Sequence, residues 1–410
     1  MLISIIIPVF NKWELTRNCL FSLKKYTPED SYEVIVIDNN STDKTPFLAK
    51  EFGQSLFGQN FRYVRLEQNI NFGPACNLGA KLAKNDLVFF LNNDTFVTPN
   101  WLAPLLEAFG QDPNLGAVGP LLLYQNNTVQ HLGVYVNLKR QFGHLYRWFP
   151  KDHPVVRKKR SFHAITGAAM LMARKFFLEL GGFYPKYKNG FEDVDLCLKI
   201  TQTNKKLQVV TESIIYHLES QSPGRNKFNT YNSLLLQKRW KIIKPDGWLF
   251  YQEDGYQIKI TKYLNLWVNV NAEQENILLQ DYCPEYKWFI DKLKKEPFWW
   301  NGYKKAFAFC LTNKQYQNAL TICSKASYFY PLEKILPWLC YLDRIRATNN
   351  LHLPKLKNYL QEAKKHLNFH PLALKYLGQL QQQEPKFSPL FAEWKRIFGK
   401  QFYHCNQNQN

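Results

Sequence analysis

Apolar runs and amphipathic stretches alternate through the first half of the chain. Residues 4–9 read as a buried strand. The spacing that follows, with Asn11 and Glu14 at capping-box positions, predicts a helix ending near Thr27 and Pro28. A strand over 32–37 and a helix over 44–52 come next, then a strand over 61–66 and a helix over 73–83. The fourth strand, 87–91, leads to a helix for which Thr98 is the expected cap and Pro99 the first-turn residue. Such alternation predicts a mostly parallel, Rossmann-like α/β sheet covered on both faces. Ligands of such sheets bind beyond the carboxyl ends of the strands.

From about Asp254 the pattern changes: strand-like runs fade and helical spacing takes over. The expected organisation is an α/β domain over 1–253, a connector over 254–297 and an all-α domain over 298–410. Ala319, Ala326 and Pro331 have the spacing of the second half of a tetratricopeptide repeat, although the first-helix Trp, Leu and Gly of that repeat are missing. Degenerate helical hairpins are expected there, with an unrelated helical bundle as the alternative.

Composition narrows this picture only a little. A hydrophobic share of 45% with 21% charged residues describes a globular chain. The net charge of +20 favours polyanionic partners. No zinc-ligand spacing, RNA-binding aromatic signature or basic helix accompanies that charge, so nucleic acid is not expected. The longest apolar stretch, 164–173, is too short to span a bilayer, and the first strand does not read as a signal peptide. The eight cysteines lack CxxC or Cys/His ligand spacing and read as reduced, buried thiols. These features together predict a cytoplasmic location. The run Arg157-Lys158-Lys159-Arg160 reads first as a solvated loop and second as an attraction to an anionic membrane face or a lipid diphosphate.

The candidate chemistry lies at four strand ends. They carry Pro8-Val9-Phe10-Asn11, then Asp38 through Asp43, then Asn69 through Pro74 with Asn77 beyond, and finally Asn92-Asn93-Asp94-Thr95. Any one cluster is ordinary turn chemistry; four in register at successive strand ends point to a ligand site. Downstream, Glu192, Asp193 and Asp195 open a helix, where acids also complement the helix dipole. The small residues Gly167 and Ala168 let backbone approach a ligand closely, and His217 follows an apolar run.

This set of motifs resembles glycosyltransferase family 2, inverting enzymes with the GT-A fold, over residues 1 to about 245. The Asn-Asn-Asp cluster resembles the rhamnosyltransferase-like members. The resemblance implies that Pro8, Phe10 and Asp38 hold the nucleobase and ribose, that Asn71, Gly73 and Asn77 lie beside the nucleotide, and that Asn93 and Asp94 meet the donor. It also implies a divalent cation, Mn²⁺ or Mg²⁺, on Asp94 and His217, with Asn92 standing where the family has an acid. Asp193 becomes the general base with Glu192 beside it, and Gly167, Ala168 and Glu192 line the acceptor side. Gln237-Lys238-Arg239-Trp240 is one residue short of the Gln-x-x-Arg-Trp of processive members, which implies one sugar per reaction. The implied activity is metal-dependent, inverting transfer from a UDP- or dTDP-sugar to a hydroxyl of a glycan or lipid-linked acceptor. The helical tail would bind acceptor, membrane or a protein partner. The alternative is a catalytically impaired scaffold whose tail does the binding.

Overall fold

A computed structural model describes residues 2–29, 31–218, 225–240, 243–365, 367 and 371–407. Ser220 and Ser222, which follow His217 in the sequence pattern, lie outside the described residues. The chain forms two compact units. One comprises residues 1–135 and 144–242, the other residues 136–143 and 243–410.

The first unit is a three-layer α/β structure. Its elements in chain order are β1 (Ile3–Val9), α1 (Trp13–Tyr26), β2 (Tyr32–Asp38), α2 (Thr45–Phe57), β3 (Phe61–Arg65), α3 (Phe72–Leu82) and β4 (Leu87–Leu91). There follow β5 (Thr95–Val97), α4 (Ala103–Gln111), β6 (Leu115–Leu123), β7 (Val129–His131), β10 (Ser161–Phe162) and β11 (Ala169–Ala173), while β8 (Val134–Val136) and β9 (Phe142–His144) form a separate two-stranded sheet whose residues 136–143 belong to the other unit. Helices α5 (Arg174–Glu179) and α6 (Glu192–Gln202), strand β12 (Lys206–His217) and helix α7 (Asn229–Arg239) complete it.

The main sheet runs β10-β12-β6-β11-β4-β1-β2-β3. The wing β4-β1-β2-β3 is parallel, as its continuous apolar runs predict for strands buried on both faces. Beyond it the sheet is mixed: β11 is antiparallel to both β4 and β6, while β12 returns parallel to β6. The core beneath comes from both halves, with Ile5, Val34, Phe89, Leu171 and Ile215 all fully buried.

Two expected helix starts are placed differently. Thr98 caps no helix: its hydroxyl donates to the Ile214 carbonyl at 2.8 Å, β5 occupies 95–97, and α4 begins only at Ala103. Strand β5 exists because it pairs with the end of β12, setting Thr95 opposite His217. Asn11 is likewise not the cap of α1, whose amino end starts from Lys12 at φ 64°.

From residue 243 the second unit opens with α8 (Gly247–Glu253). Residues 254–297, expected as a connector, carry the antiparallel hairpin β13 (Gln257–Ile260) and β14 (Leu266–Asn269), α9 (Ala272–Leu279) and α10 (Tyr286–Lys295). These precede α11 (Trp300–Thr312), α12 (Tyr316–Ala326), α13 (Leu332–Asn349), α14 (Leu356–Lys365), α15 (Pro371–Gln383) and α16 (Ser388–Gln407). Ala319 and Ala326 are fully buried on one face of α12, and Pro331 immediately precedes α13, as hairpin spacing requires. The core of this unit gathers Trp248, Ile260, Leu377, Phe387 and Trp394, together with Leu138 from the short 136–143 segment. That segment is fastened by the Val136 N–H donating to Asp246 at 2.6 Å. No described helix is long and apolar enough to cross a membrane.

Candidate active site

The loops after β1 and β2 are tied into one surface. Asn11 sits at φ 58°, and its side-chain oxygen accepts the N–H groups of Thr42 at 2.7 Å and Asp43 at 3.3 Å. Asp43 in turn accepts the Trp13 N–H at 3.0 Å and so caps α1 from the neighbouring loop. Asp38 is fully buried at the end of β2. Its carboxylate accepts the Ser41 N–H at 2.8 Å and the Tyr63 hydroxyl at 2.6 Å. Burial, reinforced by Asp38, raises the Tyr63 phenol above its ordinary range, which keeps it a donor. The Asp38 carboxylate thus braces the loop after β2 through Ser41 and Tyr63. Pro8 is also buried, whereas Phe10 is 46% exposed at the strand end.

The Asn71–Asn77 segment also serves packing. Asn71 precedes α3 at φ 70°. A Cβ on Gly73 would stand 3.0 Å from the Cβ of Phe183, so α3 can approach the 181–183 turn only with glycine here. Asn77 holds that turn through both ends of its amide, donating to the Phe183 carbonyl at 2.8 Å and accepting the Phe183 N–H at 2.9 Å. Both residues, which the resemblance sets beside the nucleotide, also support the packing of α3 on this turn.

At the end of β4 the amides of Asn92 and Asn93 diverge. Asn93 donates to the Thr16 hydroxyl on α1 at 2.9 Å. Asp94, nearly buried, places a carboxylate oxygen 3.1 Å from Nε2 of His217, and the Asn92 amide nitrogen lies 3.3 Å from the same Nε2. A residue absent from the sequence reading, Gln130 on β7, fixes the state of this ring. Its amide nitrogen donates to the His217 carbonyl at 3.0 Å, so its oxygen faces Nδ1 at 2.7 Å and must accept a proton from it. With that proton on Nδ1, the neutral form of the ring has its lone pair on Nε2, beside the Asp94 carboxylate. A carboxylate oxygen and an imidazole lone pair held this way suit a hard or borderline divalent cation. Among the described residues no further Cys, His, Asp or Glu joins them in a metal-binding group.

The acidic motif sits across the 166–168 segment. Phe191 adopts φ 72° and starts α6. Asp193 accepts the Gly167 N–H at 2.9 Å and the Val194 N–H at 2.8 Å. A Cβ on Gly167 would come within 3.2 Å of the Asp193 Cβ, so glycine permits this approach. The next carbonyl, that of Ala168, accepts the Asn92 N–H at 2.9 Å. Glu192 is buried and turns to the Gly190 N–H at 2.6 Å, which orders the turn before α6. His131, also missed in the sequence, accepts the Thr166 N–H at 3.2 Å and lies 2.8 Å from His144, Nδ1 to Nδ1. Burial, with His144 and His217 nearby, holds His131 well below the ordinary imidazole range, so it stays a neutral acceptor.

Asp195 does more than complement a helix dipole. It is fully buried and accepts from Arg239 Nε at 2.6 Å, Arg239 Nη2 at 3.2 Å, Trp240 Nε1 at 2.8 Å and the Tyr187 hydroxyl at 3.2 Å. The Arg239 guanidinium lies 3.7 Å over the Tyr184 ring. The Arg-Trp pair that resembles a processive motif is thus the anchor of α7 on α6. Asp195→Ala should cost about 1–3 kcal/mol, because it leaves the half-buried Arg239 guanidinium, the Trp240 indole N–H and the Tyr187 hydroxyl without their shared acceptor. Urea unfolding of that variant at the parent midpoint would show that the anchor carries no stability.

Of the basic run, Arg157 donates to Asp152 at 2.9 Å and to the Thr211 carbonyl at 3.2 Å, and Arg160 donates to the Val155 carbonyl at 2.6 Å. Two of its cations therefore hold the loop itself. Cys19, Cys76 and Cys197 are buried free thiols, and burial pushes Cys19 up to about 12.

Comparison with known proteins bears on the α/β domain. Residues 4–181 match the family model for Glycosyl transferase family 2. The chain is 31% identical over 229 residues to the O-antigen biosynthesis protein RfbC of Myxococcus xanthus, a match covering 54% of this chain and 17% of that protein. It is 28% identical over 237 residues to the O-antigen chain rhamnosyltransferase RfbN of Salmonella typhimurium, covering 56% of this chain and 70% of that one. A solved structure, GalNAc-T7 with UDP, GalNAc and Mn²⁺, superposes with a TM-score of 0.48 at 19% identity, covering 58% of this chain and 50% of that chain. The chain spans well under two thirds of the length of the first curated relatives it matches. The architecture is the expected GT-A α/β sheet followed by a helical region.

Proposed function

We propose that this chain, whose residues 4–181 form a glycosyltransferase family 2 domain, moves a single sugar from a nucleoside-diphosphate donor to a hydroxyl of a glycan or lipid-linked acceptor, with inversion. The observation that carries the reading is the 166–168 segment. Its Gly167 N–H aims the Asp193 carboxylate, and its Ala168 carbonyl fastens Asn92, two residues before Asp94. The proposed base and the residue two before the proposed cation ligand Asp94 thus share one short backbone segment.

In this reading Asp193 takes the acceptor proton. Each of its oxygens accepts one backbone N–H and keeps a further lone pair for that transfer. Asp94 and His217 hold the cation, Gln130 keeps the His217 lone pair on Nε2, and the donor's phosphate oxygens complete the shell of so sparse a site. Bound there, Mn²⁺ or Mg²⁺ supplies Lewis-acid neutralisation of the departing diphosphate. The exposed Phe10 ring offers a stacking face to the base, and Gly167 and Ala168 border the acceptor. UDP- and dTDP-sugars are the proposed donors. The Salmonella relative's description as a rhamnosyltransferase supports rhamnose among the candidate sugars.

The test is a panel of UDP- and dTDP-sugars incubated with the full chain and Mn²⁺. Release of nucleoside diphosphate from at least one donor is expected. Binding of donors without release from any would favour the scaffold reading, in which the tail acts and the α/β domain is inert.

A further inference from the structure

The second unit holds a cavity of about 300 Å³ that none of the chemistry above uses. The hairpin β13–β14 forms one wall and sets Lys259 directly opposite Trp267 on the same face. Helix α16 forms another with Glu393 and Trp394, and the first turns of α11 and α13 add Trp300 and Lys334. The walls are held firmly. Trp394 donates to the Thr261 carbonyl at 2.9 Å, and the Trp300 N–H donates to the Asn269 side chain at 2.9 Å. The Trp300 ring stacks on Trp338 with centroids 4.9 Å apart at 7°. Trp267 and Trp300 remain half-exposed toward the space.

Three chemical features select the occupant. Indole faces offer flat apolar surface. The ammonium groups of Lys259 and Lys334 supply donors and the Glu393 carboxylate supplies acceptors, and none of these three side chains has a hydrogen-bond or ion-pair partner among the described residues. An alkyl chain would bury those charges without compensation. A free anion would meet Glu393 as well as the lysines. A sugar ring has an apolar C–H face for an indole and hydroxyls that both donate and accept, which matches all three features. The volume is at the small end of ligand sites, the size for a monosaccharide unit, not a long chain.

We infer that this cavity is a carbohydrate subsite that takes one neutral pyranose ring of the acceptor glycan. The inference rests on the proposal that the acceptor is a glycan. The helical region then holds a remote acceptor residue by contacts that do not depend on donor or cation.

The experiment is saturation-transfer NMR on the full chain without donor, using methyl glycosides of the common neutral hexoses, with glucuronic acid and inorganic phosphate as charged arms. At least one neutral glycoside should bind, and Trp267→Ala should weaken it about tenfold, the loss of a stacking face. The exposed Lys334→Ala and the conservative Glu393→Gln, which keep the fold if Trp267→Ala does not, should each weaken it several-fold. Donor hydrolysis should stay at the parent level in all three variants. Binding unchanged in Lys334→Ala and Glu393→Gln, or binding confined to phosphate or glucuronate, overturns the subsite. Either result can arise with donor hydrolysis intact, so loss of the subsite and loss of the transferase reading are separable.

Discussion

Asp193→Asn should lower nucleotide-sugar turnover by about 10²–10⁴, the contribution of a positioned general base, while nucleoside diphosphate binding stays at the parent value and stability falls by about 1 kcal/mol. The substitution is nearly isosteric. Its amide oxygen can still accept the Gly167 N–H that now meets Asp193 at 2.9 Å, so the loop keeps that anchor, while the Val194 N–H loses its acceptor. What the amide cannot do is take a proton from a sugar hydroxyl. Steady-state turnover beside calorimetric binding separates the two roles. A variant that turns over near the parent rate removes Asp193 from the chemistry. A variant that loses diphosphate binding as well shows the residue to be structural.

Much of this arrangement was legible because parallel strands buried on both faces leave few other readings. The strands at 3–9, 32–38, 61–65 and 87–91 fall within a residue of the apolar runs that predicted them. Less legible was what each polar residue faces. Asp38, Gly73 and Asn77 carry the right residue types at the right places, yet their partners are Ser41, Tyr63 and the 183 backbone. Local spacing cannot distinguish a carboxylate that meets a ligand from one that builds the loop beneath it. Asn11 and Asp43 show the same limit, since a cap supplied by a neighbouring loop has no spacing to read.

Long-range partners were the other gap. Gln130 lies 87 positions from His217 on a three-residue strand, and His131 beside it reaches Thr166 only because β7 pairs with β6. No periodicity marks so short a strand. Asp195 and Arg239, 44 positions apart, were visible separately as an acid on a helix and as a motif one residue short. Only folding joined them. The 136–143 segment carries no sequence signal for its place, yet Leu138 lies in the core of the second unit.

Chelation should abolish turnover and Mn²⁺ or Mg²⁺ should restore it, and the same site should be visible without turnover. Direct Mn²⁺ binding measured by electron paramagnetic resonance, with nucleoside diphosphate present, should be lost in Asp94→Ala and in His217→Ala. Metal-free diphosphate binding should change far less in both. Gln130 gives the sharper test because it touches no ligand itself. Gln130→Leu removes the acceptor that keeps the His217 proton on Nδ1, 2.7 Å away. The ring is then free to place that proton on Nε2, 3.1 Å from the Asp94 carboxylate, where it would donate to Asp94 and close the pair to a cation. Loss of such a partner usually costs about 10–100-fold in metal affinity. Gln130→Glu, which retains an acceptor facing Nδ1, should recover most of it, whereas a merely structural role for Gln130 would show no such rescue. If turnover survives chelation, Asp94 and His217 hold no essential metal. If Gln130→Leu binds Mn²⁺ like the parent, the proton on Nδ1 is not what keeps the site open.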